Sequence, residues 1–210
     1  MPSLAKVIET MPGHFKGASF YNNQFGLRVL LDDSDLSPYC FHNAIHKAKE
    51  IISSFVDGTE VYIIKVYRIN SPLDAEAILK SFEEKNSANQ INYIEHLVQP
   101  YEKFEEDFEA GTVVNGLYVL YKTILTQRVL VNLLWDPLSI WFDGSLAFDP
   151  KNPYDLYVLN YDCTISMHPY DHRGADILCT DIEIYRQTFF KLKDSLFEHD
   201  LELMRKRLKY

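Results

Sequence analysis

Between Tyr170 and Asp176 the chain brings together a phenol, two carboxylates, an imidazole and a guanidinium: Tyr170, Asp171, His172, Arg173 and Asp176. Such a set supports acid–base chemistry, or the holding of a phosphate or carboxylate, because it supplies proton donors, proton acceptors and a rigid fork of N–H groups. It serves equally well as a scaffold. Asp171 can bond the backbone two residues on as an Asx turn, Gly174 offers the positive φ a tight corner calls for, and Arg173 is within reach of Asp171 or Asp176. Strand alternation sends Ala175 and Asp176 to opposite faces, so the five groups do not all converge on one ligand. We therefore read Tyr170, Asp171, Arg173, Gly174 and Asp176 as a salt-bridged structural corner. Asp171, His172, Arg173 and Asp176 form the catalytic set of an alternative reading, a small hydrolase or transferase. There Asp171 or Asp176 is the acid or base, Arg173 the anion clamp, and His172 or Tyr170 the proton partner.

The remaining chemistry-bearing residues are sparse. His42 and His46 have the four-residue spacing that puts two imidazoles on one helix face, but two ligands are not a metal site, and no glutamate follows His42 as a zinc-protease helix requires. His168 and His172 share the spacing in a strand and turn, where it brings no ligand geometry. Cys163 lies near His168 in sequence, yet a nucleophilic thiol needs a depressed pKa, and a small buried residue in a strand is the plainer reading. Cys40, Cys163 and Cys179 are odd in number and lack metal-ligand spacing, which points to reduced thiols in a cytoplasm. With no glycine-rich phosphate loop, nucleophile elbow or zinc ribbon, we expect no cofactor and no metal.

Charge is the other signal. The formal net charge is -9, and between Ser71 and Gly111 ten acidic residues face three basic ones. A one-signed patch repels nucleic acid and steers basic molecules toward it. In a helix whose Tyr101, Phe104 and Phe108 share the inner face, Glu102, Glu105, Glu106, Asp107 and Glu109 belong to the outer one, and this is the expected partner-binding surface. The expected partner is a protein with a basic surface, such as a toxin domain. Arg205, Lys206, Arg207 and Lys209 oppose the trend at a helix C-terminus, where they complement the dipole.

The elements that position these groups follow from periodicity. With 210 residues, 47% of them hydrophobic, the chain is long enough for one compact domain over 1–210, and no apolar run reaches the length of a membrane span. We expect no membrane partner and a cytoplasmic location. Residues 1–25 read as a short helix and an aromatic loop. Leu27–Leu31 reads as a strand, 38–56 as a helix with Phe41, Ile45, Ala48, Ile52 and Phe55 on one face, and 60–68 as a strand. Ser71, Pro72 and Asp74 signal a capped helix start, so 71–111 reads as an acidic helical segment with further helices from Ile91 and from Pro100. Gly116–Leu125 and Arg128–Trp135 read as strands joined through Thr126 and Gln127, and Asp136-Pro137 as the cap of a short helix. Strands over 154–161, 164–169 and 175–180 flank the corner, and Asp181 caps a helix that ends the chain. The sum is an α+β fold: an antiparallel-dominated mixed sheet of six or seven strands, with one parallel pair across the first long helix and helices packed mainly on one face.

The run Tyr170-Asp171-His172-Arg173-Gly174-Ala175-Asp176, followed by an apolar strand and a helix bearing Tyr185, Asp194 and Asp200, resembles the bacterial domain-of-unknown-function family numbered 3885. That family shows a strand ending in Tyr-Asp-Asp-Arg-Gly-x-Asp and then an aromatic-rich terminal helix. Tyr154 to Asn160 is similar to its Val-Tyr-Phe-Ile run, so residues 136–210 are the family-like region. His172 replaces the family's second aspartate, and Ser195 stands at a tryptophan position. The resemblance implies an α+β fold and no established reaction or cofactor. By analogy with other small acidic bacterial proteins, the leading expectation is a non-enzymatic cytoplasmic immunity protein that neutralises a toxin.

Overall fold

The computed structural model describes residues 3–11, 13–15, 19–33, 38–56, 60–86, 91–102, 113–139 and 154–209. In chain order the elements are α1 (Leu4–Thr10), α2 (Ser19–Asn22), β1 (Gly26–Leu30), α3 (Pro38–Phe55), β2 (Glu60–Ile69), α4 (Pro72–Asn86), β3 (Ile91–Glu102), β4 (Val113–Ile124), α5 (Gln127–Ser139), β5 (Tyr154–Leu159), β6 (Ile165–Pro169), β7 (Gly174–Cys179), α6 (Ile182–Lys191) and α7 (Leu201–Arg207). Two single 3-10 turns, Lys193–Ser195 and Glu198–Asp200, join the last two helices.

The seven strands form one sheet in the order β1-β7-β6-β5-β2-β4-β3, and every pairing in it is antiparallel. The α+β expectation holds, with a correction. β1 and β2, on either side of α3, are not neighbours, because β7, β6 and β5 lie between them and supply the backbone partners a parallel pair would have used.

Period-two alternation divides the strands between two layers. Leu27 and Val29 of β1, Ala175 and Ile177 of β7, Met167 of β6, Val158 of β5, Ile63 of β2 and Val119 of β4 face the larger core. That core is closed by Ala44, Ala48 and Ile52 of α3, Leu130 and Leu134 of α5, Tyr185 of α6 and Met204 of α7. The opposite face, with Tyr62, Ile64, Leu120, Tyr157 and Leu159, is covered by Leu4, Val7 and Met11 of α1 together with Phe15. Helices thus pack mainly on one face, and α1 guards the other.

Local signals fixed several boundaries. Asp74 accepts from the N–H groups of Asn70 and Ser71, both at 2.9 Å, while its own N–H reaches Ser71 Oγ at 3.3 Å, a reciprocal cap at the start of α4. Asp181 accepts from the N–H groups of Glu183 and Ile184 at 2.9 Å and starts α6.

Two expectations fail for a shared reason, a period read wrongly. Residues 91–102 are a strand and not the start of two helices. A bulge between Tyr93 and Glu95 shifts the alternation, so Ile94 and Leu97 pack on one face although they sit three apart. Residues 128–135 are helix, not strand: Val129, Leu130, Leu133, Leu134 and Leu138 are buried at helical spacing. Thr126, expected in a hairpin turn, caps that helix, its Oγ1 accepting from the Val129 N–H at 3.2 Å. Asp136 and Pro137 lie within its last turn and do not begin a new helix.

Candidate functional site

The corner lies between β6 and β7, and its shape is set by Asp171. This carboxylate is 2% exposed. Its Oδ1 accepts from the backbone N–H of Arg173 at 2.8 Å and of Gly174 at 3.2 Å, and its Oδ2 from the Arg173 side chain through Nε at 3.0 Å and Nη2 at 2.7 Å. Both the Asx turn and the Arg173 bridge to Asp171 are therefore as expected. Asp176 is not the bridge's partner. Gly174 is needed for a different reason from the one expected: Gly13 is the described glycine with positive φ, and Gly174 has none. A Cβ at Gly174 would instead fall on the Tyr170 hydroxyl, 2.8 Å from its Cζ, and 3.1 Å from the Val29 carbonyl. Close approach, not backbone handedness, makes this position a glycine.

Asp176 belongs to a second network, built on β1. Arg28 and Asp176 stand directly opposite each other on β1 and β7, and Asp176 is opposite His168 on β6. The three side chains form a row on the sheet face away from the larger core. Arg28 Nε donates to Asp176 Oδ1 at 3.0 Å, and the Phe20 N–H donates to Asp176 Oδ2 at 3.0 Å. Arg28 Nη1 donates to Asp200 Oδ2 at 3.3 Å and to the Tyr21 hydroxyl at 3.1 Å. The guanidinium also lies 4.8 Å from the ring centres of Phe20 and Tyr21 and 5.4 Å from that of Tyr170. His168 extends the row toward β5: its ring stacks on Tyr157 with centroids 4.4 Å apart, and its Nδ1 is 2.9 Å from the Leu156 carbonyl. A carbonyl only accepts, so Nδ1 carries a proton.

Burial works against charge here. It pushes the Asp176 carboxyl above its ordinary value, against the pull of Arg28 and His168. Burial is the largest influence on Arg28 and acts to lower it, but the Asp176 charge and hydrogen bond together with the neighbouring Tyr170 and Tyr21 outweigh it and hold the guanidinium above its usual value. Both Asp176 oxygens act as acceptors, which is the bonding of a carboxylate, so we take the pair as ionised. The Tyr170 phenol is pushed up by burial and then by Asp176, and it stays protonated.

Over this row lies a cleft of about 420 Å³ lined by Arg28, Leu30, Asp32, Asp33, His168, Tyr170, Arg173, Asp176 and Phe197. Of the corner residues, Tyr170, Arg173 and Asp176 line it. Asp171 lies in the turn and His172 is buried, and neither belongs to the lining. The catalytic set of the alternative reading is thus split: Arg173 and Asp176 share the cleft, Asp171 and His172 do not. Arg28, His168, Asp32, Asp33 and Phe197 were not foreseen in it. One signal did exist for the first, since Arg28 is the lone charge in the apolar run Leu27–Leu31, as Asp176 is between Ala175 and Cys179. Two such strands call for each other when paired.

The other candidates stand apart. Glu102 ends β3, while Glu105, Glu106, Asp107 and Glu109 of the expected partner-binding surface lie outside the described residues. His42 and His46 are exposed on α3, and no group of three or more His, Cys, Asp or Glu suited to a metal occurs among the described residues. Cys40, Cys163 and Cys179 are free and buried. Burial pushes the Cys163 thiol up to about 11 and the Cys179 thiol up to about 12, the reverse of what a nucleophile needs. Among the described residues no helix is long and apolar enough to cross a membrane.

A family model described as a domain of unknown function (DUF3885) matches residues 6–200, so the likeness extends far upstream of the region from 136 onward. No curated protein and no solved structure matches the chain.

Proposed function

The chain belongs to the domain-of-unknown-function family DUF3885, and since that membership brings no activity with it, we propose from the site alone a non-enzymatic binding protein whose partner presents a basic protein surface. One observation carries this reading. The charged groups that a reaction centre at the corner would use are already bonded to one another, Arg173 to Asp171 and Arg28 to both Asp176 and Asp200. Guanidiniums so engaged hold the fold together and are poorly placed to clamp a substrate. The net charge of -9 supports the same reading, since it would speed encounter with a basic surface while buried contacts set the lifetime of the complex. A bacterial toxin whose own nucleic-acid site is basic is the partner class this charge suits, and the protein would then be its cytoplasmic immunity partner.

The test is co-expression. The product of the neighbouring gene is induced in a host with and without this chain. Growth arrest relieved by this chain supports the reading. Arrest of equal depth in both strains, or no arrest at all, overturns it.

A second reading, an enzyme with its site in the cleft, draws on one feature: Tyr170, Arg173, Asp176 and His168 share a single cavity. It expects Arg173 to matter for a ligand and not for stability, and the stability measurement described in the Discussion separates the two.

A further inference from the structure

The cleft has a charge signature that selects among occupants. Two guanidiniums and three carboxylates line it, and Asp171 and Asp200 supply two further carboxylates to those same guanidiniums. An entering anion would compete with Asp171, Asp176 and Asp200 for arginines already engaged, and would meet Asp32 and Asp33. A cation meets the opposite situation. Asp33 is exposed at the cleft. Tyr170 and Phe197 supply aromatic surface and Leu30 an apolar wall, which suits the flat, weakly hydrated guanidinium better than a compact ammonium ion. The Tyr170 hydroxyl adds an acceptor oxygen to the lining.

We propose that this cleft is a receptor for a single arginine side chain of the basic partner, its guanidinium held by Asp33 and its plane set against the aromatic wall. The inference rests on the binding-protein reading and gives it a location that the acidic segment around Glu102 does not. It also runs against the alternative enzyme reading of the corner, in which Arg173 clamps an anion.

The test is a titration followed by NMR of the whole protein with three probes: N-acetyl-arginine amide, its neutral isostere N-acetyl-citrulline amide, and inorganic phosphate. The arginine derivative should shift the resonances of His168 and Tyr170 saturably, and the other two should not. Asp33→Asn, an exposed substitution with no role in the buried networks, should raise the midpoint about three-fold, as loss of one partly exposed charge contact implies. Shifts of equal size with citrulline, saturable binding of phosphate, or an unchanged midpoint in Asp33→Asn would each overturn the proposal. Growth rescue with no arginine binding would remove the cleft assignment and leave the binding reading standing. Arginine binding without growth rescue would do the reverse.

Discussion

Arg28 and Asp176 face each other across the β1–β7 ladder, joined at 3.0 Å, and the aspartate is 2% exposed. The pair ties the edge strand β1 to the strand that leaves the corner, and through Asp200 it ties both to the start of α7. Removing one partner strands the other as a buried charge. Asp176→Ala should therefore cost about 3 kcal/mol or more, the range for breaking a buried ion pair from one side. Arg28→Met combined with Asp176→Leu should cost much less than the two single changes added together. Urea unfolding of the parent, the three single variants and the double variant measures both quantities, and a single-mutant loss below about 1 kcal/mol would show that the pair holds little together.

The Arg173 side chain is 58% exposed, yet it supplies two of the four hydrogen bonds that satisfy buried Asp171. Arg173→Ala should lower stability by about 1 to 2 kcal/mol, because the two backbone donors remain. Melting at the parental temperature would sink the structural reading of the corner and favour the enzyme reading.

Gly174→Ala places a methyl group on the Tyr170 hydroxyl. Tyr170 must move, at a cost of about 1 to 3 kcal/mol for overpacking, and the cleft it lines changes shape. Adding Tyr170→Ala removes the collision, so the glycine change should cost clearly less in that background. Equal cost in both backgrounds would place the strain at the backbone, for which the φ of Gly174 gives no reason.

His14 sets an acid limit. It is 1% exposed with Nδ1 2.9 Å from Ser166 Oγ, and burial lowers its pKa to about 3, against the opposing pull of a hydrogen bond with the Cys179 backbone. In the unfolded chain an imidazole titrates near 6.5, so between about 6.5 and 3 the unfolded state binds the extra proton. Stability contributed by neutral His14 is complete above that window and falls as pH drops through it, by about 2 kcal/mol between pH 7 and 5. His14→Gln should show a shallower loss over the same interval by that amount. Parallel curves for the two proteins would mean that His14 takes up its proton without unfolding.

Much of the fold was legible because it depends on local spacing. The capping box at Ser71 and Asp74, the cap at Asp181, the helical stripe from Phe41 to Phe55 and the turn made by Asp171 are each settled within a few residues. The readings that failed did so where two local codes overlap. Val129, Leu130, Leu133 and Leu134 are apolar enough to pass for a buried strand, and the bulge between Tyr93 and Glu95 hides a strand's alternation behind a helix-like spacing.

The sequence by itself determined that a glycine and an Arg–Asp contact would shape the corner, and that the chain carries a strong excess of negative charge. Only the tertiary structure decided which carboxylate goes with which guanidinium. Asp176 is three residues from Arg173 but pairs with Arg28, nearly 150 positions away, because β1 lies against β7 at the edge of the sheet. The same pairing brings Arg28 and His168 to either side of Asp176 and turns a corner into one wall of a cleft. Separation along the chain places no limit on such contacts, since they are set by strand order and register, and these emerge only when the two cores on either side of the sheet are closed.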